Sequence, residues 1–201
     1  MRRLIPILLL VVAILIPHAG CTRTTPPAPK RTLKVLAAVS LADALREVGT
    51  AFETANPGVR VEFIFAGSNQ LRTQLENAGP GDVFASADRR QMDAAITSRS
   101  VDPATIRAFA QSRLALIVPA NNSAAIHSLS DLARPNLKIV VADSAVPAGN
   151  YTRLMLEKAR TLTDLGPRFV AAFDANTVSR EENVAAVVTK ISLNEADAGI
   201  A

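Results

Sequence analysis

The chain has no tryptophan, and aromatic residues make up only 4% of its 201 positions. Receptors for sugars and peptides often stack their ligands on aromatic platforms, so this composition points to a ligand that is small and polar. Cysteine occurs once, at Cys21, which excludes an internal disulfide and leaves the fold to be held by its core alone. The two histidines are His18 and His127, and no His, Cys and carboxylate residues stand at metal-ligand spacing, which argues against a bound bare metal ion. The same scarcity leaves Ser40 without a motif-borne histidine that could make it a nucleophile. Basic residues are scattered, without a run and with little aromatic interleaving, so nothing marks a nucleic-acid surface.

What is present begins with a leader. Met1-Arg2-Arg3 is a basic segment, and Leu4 to Ile16 is an apolar run, broken only by Pro6, of signal-peptide rather than membrane-spanning length. The run ends at Pro17-His18-Ala19-Gly20-Cys21, which resembles the lipobox of bacterial lipoproteins, with His18 where leucine is usual. Residues 1–20 are therefore expected to be a signal peptide, removed before Cys21 is lipidated. The alternatives are a free thiol on a secreted protein or an uncleaved anchor. Residues 21–31 are rich in proline and short polar side chains and suit a flexible, lipid-anchored tether. Loss of Arg2 and Arg3 with the leader lowers the formal charge from +4 to +2.

The remaining residues, with an apolar fraction of 49% for the whole chain, suffice for one large domain or two small lobes. Leu33 to Ala38 reads as a buried strand, and Ser40 to Ala55 as a helix with Ser40 as its N-cap. Val59 to Phe65 alternates as a second strand, a helix begins at Ser68, Asp82 to Ser86 is a short third strand, and Asp88 opens a third helix. Such a βαβαβα series forms a parallel sheet covered by helices, with a ligand at the carboxyl ends of the strands. Arg113 to Ala120 reads as a strand leading into a second lobe. That lobe is expected to contain a helix at Leu129 to Ala133, a strand at Leu137 to Ala142 and a helix over residues 148–159. A strand at Phe169 to Phe173 and a helix from about Arg180 to Ile191 complete it. The fold class is thus α/β, with lobe 1 over residues 32–115, lobe 2 over residues 116–201 and a cleft between them.

A free tetrahedral dianion needs donors on all sides, and helix N-termini with a capping hydroxyl supply them while the helix dipole favours negative charge. AAVSLADAL places Ser40 at one strand-to-helix turn, FAGSNQL places Ser68 at the next, and VPAGNY opens a helix with Pro147 in its permitted first turn. Each alone is an ordinary cap; their recurrence in successive βα units favours a binding role. Asp82 and Asp88 could be read as a catalytic or metal-binding carboxylate pair, but capping and hydrogen bonding within the lobe account for them more simply. Asn69 and Gln70 either line the cleft or form a surface helix turn.

At AAVSLADAL, FAGSNQL, GDVFASAD followed by QMD, and VPAGNY, the sequence resembles the periplasmic molybdate-binding proteins of bacterial ABC importers. The resemblance runs from about Leu33 to the last residue. It implies a type II periplasmic-binding-protein fold, two α/β lobes with the ligand cleft between them, and an oxyanion held by neutral donors. Carried over by position, Ser40 and Ser68 would each give a hydroxyl and a backbone N–H, and Ala148 and Val184 backbone N–H groups. Val184 rests on its spacing in NVAAVV. The family adds a tyrosine hydroxyl after a Gly-Ile-Val strand, whereas here the chain reads Gly199-Ile200-Ala201 and ends, so the resemblance implies a fragment lacking the segment that returns to lobe 1. Donors without an acceptor favour molybdate, tungstate or sulfate over phosphate, which keeps a proton at neutral pH. The expected role is an exported, monomeric binding protein that presents molybdate or tungstate to an ABC permease, with no cofactor and no metal held directly. The rival is another oxyanion receptor, or an enzyme or sensor on the same fold.

Overall fold

The computed structural model describes residues 31–77 and 79–201. The leader, Cys21 and the tether up to residue 30 lie outside the described residues. In the first lobe, β1 (Arg31–Ala38) is the central strand of a three-stranded parallel sheet of order β2-β1-β3, flanked by β2 (Val59–Ala66) and β3 (Val83–Ala85). Helices α1 (Ala42–Ala55), α2 (Ser68–Glu76) and α3 (Arg89–Thr97) follow the three strands in turn. Val35, Ala37 and Ala85 are buried together, and Phe63 and Phe65, two residues apart on β2 and so on one face, stack with ring centroids 5.2 Å apart.

The second lobe is a four-stranded sheet of order β4-β7-β5-β6, built from β4 (Leu116–Ile117), β5 (Ile139–Ala142), β6 (Thr177–Glu181) and β7 (Ala198–Ile200). Strands β5, β6 and β7 are parallel, and β4 runs antiparallel to β7. Every residue of β5 is buried, as expected of a central parallel strand covered on both faces. Ile139 and Val141 face a core of Leu132, Phe169, Val170, Phe173 and Ile200, while Val140 and Ala142 face Val146, Val187 and Ile191. Helices α4 (Pro147–Ala159), α5 (Gly166–Asn176) and α6 (Val184–Ser192) supply those covers.

Several expectations are corrected. Phe169 to Phe173 is not a strand but lies within α5, where Phe169, Val170 and Phe173 recur at helical spacing and are all buried. The helix expected from Arg180 is instead the end of β6 followed by α6 from Val184. The strand expected over Arg113 to Ala120 shrinks to Leu116–Ile117, because only β7 offers it a ladder. Ser40 is not an N-cap: it sits inside a 3₁₀ turn (Val39–Leu41) that Ala38 precedes, and α1 begins afterwards at Ala42.

Strand β6 was hard to see in the sequence because its half-buried face carries Thr177, Ser179 and Glu181 rather than apolar residues. Lys190 of α6 satisfies that face, donating to Ser179 Oγ at 3.0 Å and to Glu181 Oε1 at 2.7 Å, while the Ser179 hydroxyl donates to the same carboxylate. Burial pushes the Glu181 carboxyl up, but the hydrogen bonds from Lys190 and Ser179 and the lysine charge outweigh it, and the group lies below its ordinary range. A depressed carboxylate contributes stability above its unfolded-state value and loses it as pH falls through its folded-state value. Lys190→Met is therefore expected to destabilise the fold by about 1.5 kcal/mol near neutrality. Denaturant melts at a series of pH values should show the gap from wild type narrowing once the pH drops below the ordinary glutamate range.

Candidate functional site

Parallel strands leave their carboxyl ends on one edge, and in both lobes the helices start from that edge. In the first lobe the edge carries Ala38, Ala66 and Ala85, followed by the 3₁₀ turn holding Ser40, by Ser68 at the first position of α2, and by the Asp88 cap of α3. In the second lobe it carries Ala142 and Glu181, followed by the Ala148 turn of α4 and by Val184 at the start of α6.

These two edges face each other. Gly67, directly before Ser68, lies so close to the Glu182 carbonyl that a Cβ there would stand 3.0 Å from its oxygen. Gln70 Nε2 donates to Glu182 Oε2 at 3.3 Å, and α6 packs against the 3₁₀ turn that contains Ser40. From α3, Arg90 Nη2 donates to the carbonyls of Ser144 and Ala145 at 3.2 and 2.9 Å, and Gln91 Nε2 to that of Ala145 at 3.2 Å. The turns bearing Ser40, Ser68, Ala148 and Val184 therefore meet along one seam. An open groove of about 470 Å³ beside it is lined by Asn69, Gln70, Arg72, Thr73, Arg90, Gln91 and Ala145, so the Asn69-Gln70 pair faces the cleft. None of the four expected anion-binding residues lines that groove.

Each of the four turns leaves donors over. Ser68 is 1% exposed, and its Oγ accepts the Ala87 N–H at 3.0 Å, which leaves the hydroxyl proton to be given elsewhere. Ser40 is exposed, and its hydroxyl makes no hydrogen bond among the described residues. In α4 the first intrahelical bond runs from Asn150 N–H to Val146 C=O at 2.9 Å, so the Ala148 N–H precedes the ladder and has no partner within the helix. Asn183 caps α6 by accepting the Ala186 N–H at 2.9 Å, which satisfies that donor and leaves the Val184 N–H free of the cap. All of these groups are neutral, and each stands where a helix dipole is positive.

The nearby aspartates work within their lobe. Asp82 accepts the Lys34 N–H at 2.8 Å, and Asp88 Oδ1 caps α3 through the Gln91 N–H at 2.8 Å. The Asp82 arrangement recurs in the second lobe, where Asp197 accepts the Lys138 N–H at 2.8 Å just ahead of β7. Among the described residues no group of three or more His, Cys, Asp or Glu side chains could hold a metal ion.

Residues 33–201 match a family described as bacterial extracellular solute-binding protein. The chain belongs to this family. Its similarity to the molybdate-binding protein ModA of Mycobacterium tuberculosis is 39% identity over 175 residues, covering 85% of this chain and 60% of that protein. The chain thus spans about 60% of the length of that relative. Among solved structures, the sulfate-binding protein SubI from Mycobacterium tuberculosis superposes with a TM-score of 0.72 at 16% identity, covering 85% of this chain and 64% of that one. The periplasmic molybdate-binding protein of Azotobacter vinelandii gives a TM-score of 0.66 at 20% identity, covering 84% and 70%. These two likenesses establish the two-lobed binding-protein fold. A family of extracellular receptors acts outside the cytoplasm and binds solutes.

One site residue has a role that composition alone did not reveal. A Cβ on Gly149 would fall 2.0 Å from the Asp143 carbonyl oxygen and 2.4 Å from that of Ala142, both backbone atoms that cannot swing aside. Gly149 therefore lets the first turn of α4, with Ala148 in it, press against the end of β5. Gly149→Ala is expected to cost several kcal/mol, on the order of an overpacked core position or more. A fall in the thermal midpoint much larger than that of Ala148→Gly would verify it.

Proposed function

We propose that this chain captures molybdate or tungstate outside the cytoplasm and delivers it to an ABC import permease. Ser40 and Ser68 each donate a hydroxyl and a backbone N–H from the first lobe, and Ala148 and Val184 donate backbone N–H groups from the second. The oxyanion is the only ligand, no cofactor takes part, and molybdenum is held through its oxygens rather than by direct metal ligation. The protein works as a monomer, tethered to the membrane by a lipid on Cys21 after removal of residues 1–20. It is a receptor without turnover.

The observation that carries this reading is the seam, where helix N-termini of both lobes, each with neutral donors left over, come together. The 39% identity to a molybdate-binding relative agrees with it. A fully ionised dianion suits such a donor set, since no acceptor is offered for a proton. Lobe closure surrounds the dehydrated anion with charge-assisted hydrogen bonds, and the permease recognises the closed form.

Calorimetric titration of the natural chain with molybdate, tungstate, sulfate and phosphate is expected to give tight binding of the first two alone. Binding of sulfate or phosphate in their place would keep the cleft and overturn the ligand. Ser40→Ala and Ser68→Ala are each expected to weaken molybdate binding by about 1.5 to 3 kcal/mol, the range for hydrogen bonds to charged groups. The two should differ in stability. Ser40→Ala leaves the thermal midpoint of the unliganded protein in place, whereas Ser68→Ala lowers it by removing the part-buried hydrogen bond that the Ala87 N–H gives to the Ser68 hydroxyl. Unchanged affinity in both variants would place the site elsewhere.

A further inference from the structure

We propose that Arg90 and Gln91 are positioning residues that lock the closed lobes over the anion by gripping the carbonyls ahead of the Ala148 turn. The proposal rests on the reading above, that the seam is an oxyanion site. Neither side chain belongs to the expected donor set, yet both reach from α3 across the seam to Ser144 and Ala145. These carbonyls lie four and three residues before Ala148. The turn they belong to is already stiff, since Asp143 accepts the N–H of Ala145 through Oδ1 at 2.8 Å and that of Val146 through its carbonyl at 2.9 Å. A pull on the Ser144 and Ala145 carbonyls is therefore passed on to the amino end of α4.

Gln91 is prepared for this task. It is 6% exposed, its own N–H is held by Asp88 Oδ1, and its Oε1 accepts from Arg72 Nε at 2.9 Å. Arg72 is held in turn by Glu76. A guanidinium only donates, so the amide oxygen of Gln91 must face Arg72 and its NH₂ must face the second lobe. The donor is thus fixed from the first lobe before the second arrives. Arg90 adds a cationic donor shared by two carbonyls. Because all three bonds span the lobes, they exist only when the lobes are apposed. They oppose reopening, and so act on release of the anion more than on its capture.

Gln91→Glu separates this role from a structural one, because a carboxylate keeps the Arg72 partner while presenting oxygen, not NH₂, to the Ala145 carbonyl. In the natural full-length chain, exchange of labelled molybdate should show dissociation faster by about tenfold or more in Gln91→Glu and in Arg90→Ala, with association changed far less. Arg90→Lys, which retains a donor, should recover part of the loss. Thermal midpoints without anion should match wild type for Arg90→Ala. Wild-type binding with unaltered dissociation in both variants would overturn the lock while leaving the functional reading intact. A wild-type chain that bound none of the four oxyanions would overturn the functional reading and the lock together.

Discussion

Backbone against backbone is the contact on which the rest of this structure depends. Helix α4 begins hard against the last residues of β5, with position 149 facing the carbonyl oxygens of Ala142 and Asp143 at a separation that no Cβ fits. That approach decides where the free N–H of Ala148 lies and how the turn from Asp143 to Val146 is folded. It also decides which carbonyls that turn shows to the first lobe. Pro147 at the first helical position contributes by removing an N–H that would have had no partner and by presetting φ for the helix.

A similar economy of space operates on the opposite side. Gly67 has an ordinary φ of −62°, so its backbone conformation needs no glycine. Space is the constraint instead, since a Cβ there would stand 2.7 Å from Asn69 Oδ1 of its own lobe and 3.0 Å from the Glu182 carbonyl oxygen of the second, so these neighbours would have to shift. Gly67 thus lets the start of α2 approach the second lobe, while Gly149 sets the start of α4 against its own strand. Donors and dipoles of the same sense then converge, which costs electrostatic free energy in the empty protein and is offset when a dianion enters. In the proposed cycle that imbalance drives closure, and the hydrogen bonds of Arg90 and Gln91 then hold it.

Much of this was legible in the sequence. The order of the first-lobe elements followed from its apolar strands, its glycine and proline breaks and its hydroxyl-bearing turns, although α1 leaves Val48 and Phe52 of its apolar stripe exposed. Asp88 was correctly read as a cap. The second lobe misled where local signals were ambiguous. The apolar run around Phe169 is too short for periodicity to separate a strand from a helix, and tertiary packing against Leu132 and Val141 settled it. Strand β6 turns Thr177, Ser179 and Glu181 inward, so hydrophobicity gave no hint of it until Lys190 was seen to pair with them. Ser40, expected as a cap, lies one step earlier, in a 3₁₀ turn, and its hydroxyl is left uncommitted to the helix.

The sequence by itself determined the α/β class, the order of the first-lobe elements, the absence of internal disulfides and the neutral, donor-rich character of the strand-to-helix turns. Those properties are local: they depend on residue type, on spacing and on what each backbone segment can do alone. Only the tertiary structure decided that the two carboxyl edges meet, that Gly67 stands against the Glu182 carbonyl, and that Arg90 and Gln91 reach the other lobe. Those depend on residues from 54 to 115 positions apart being brought within hydrogen-bond or van der Waals distance. No pattern of hydrophobicity encodes such a juxtaposition, because it arises from the packing of two separately folded edges.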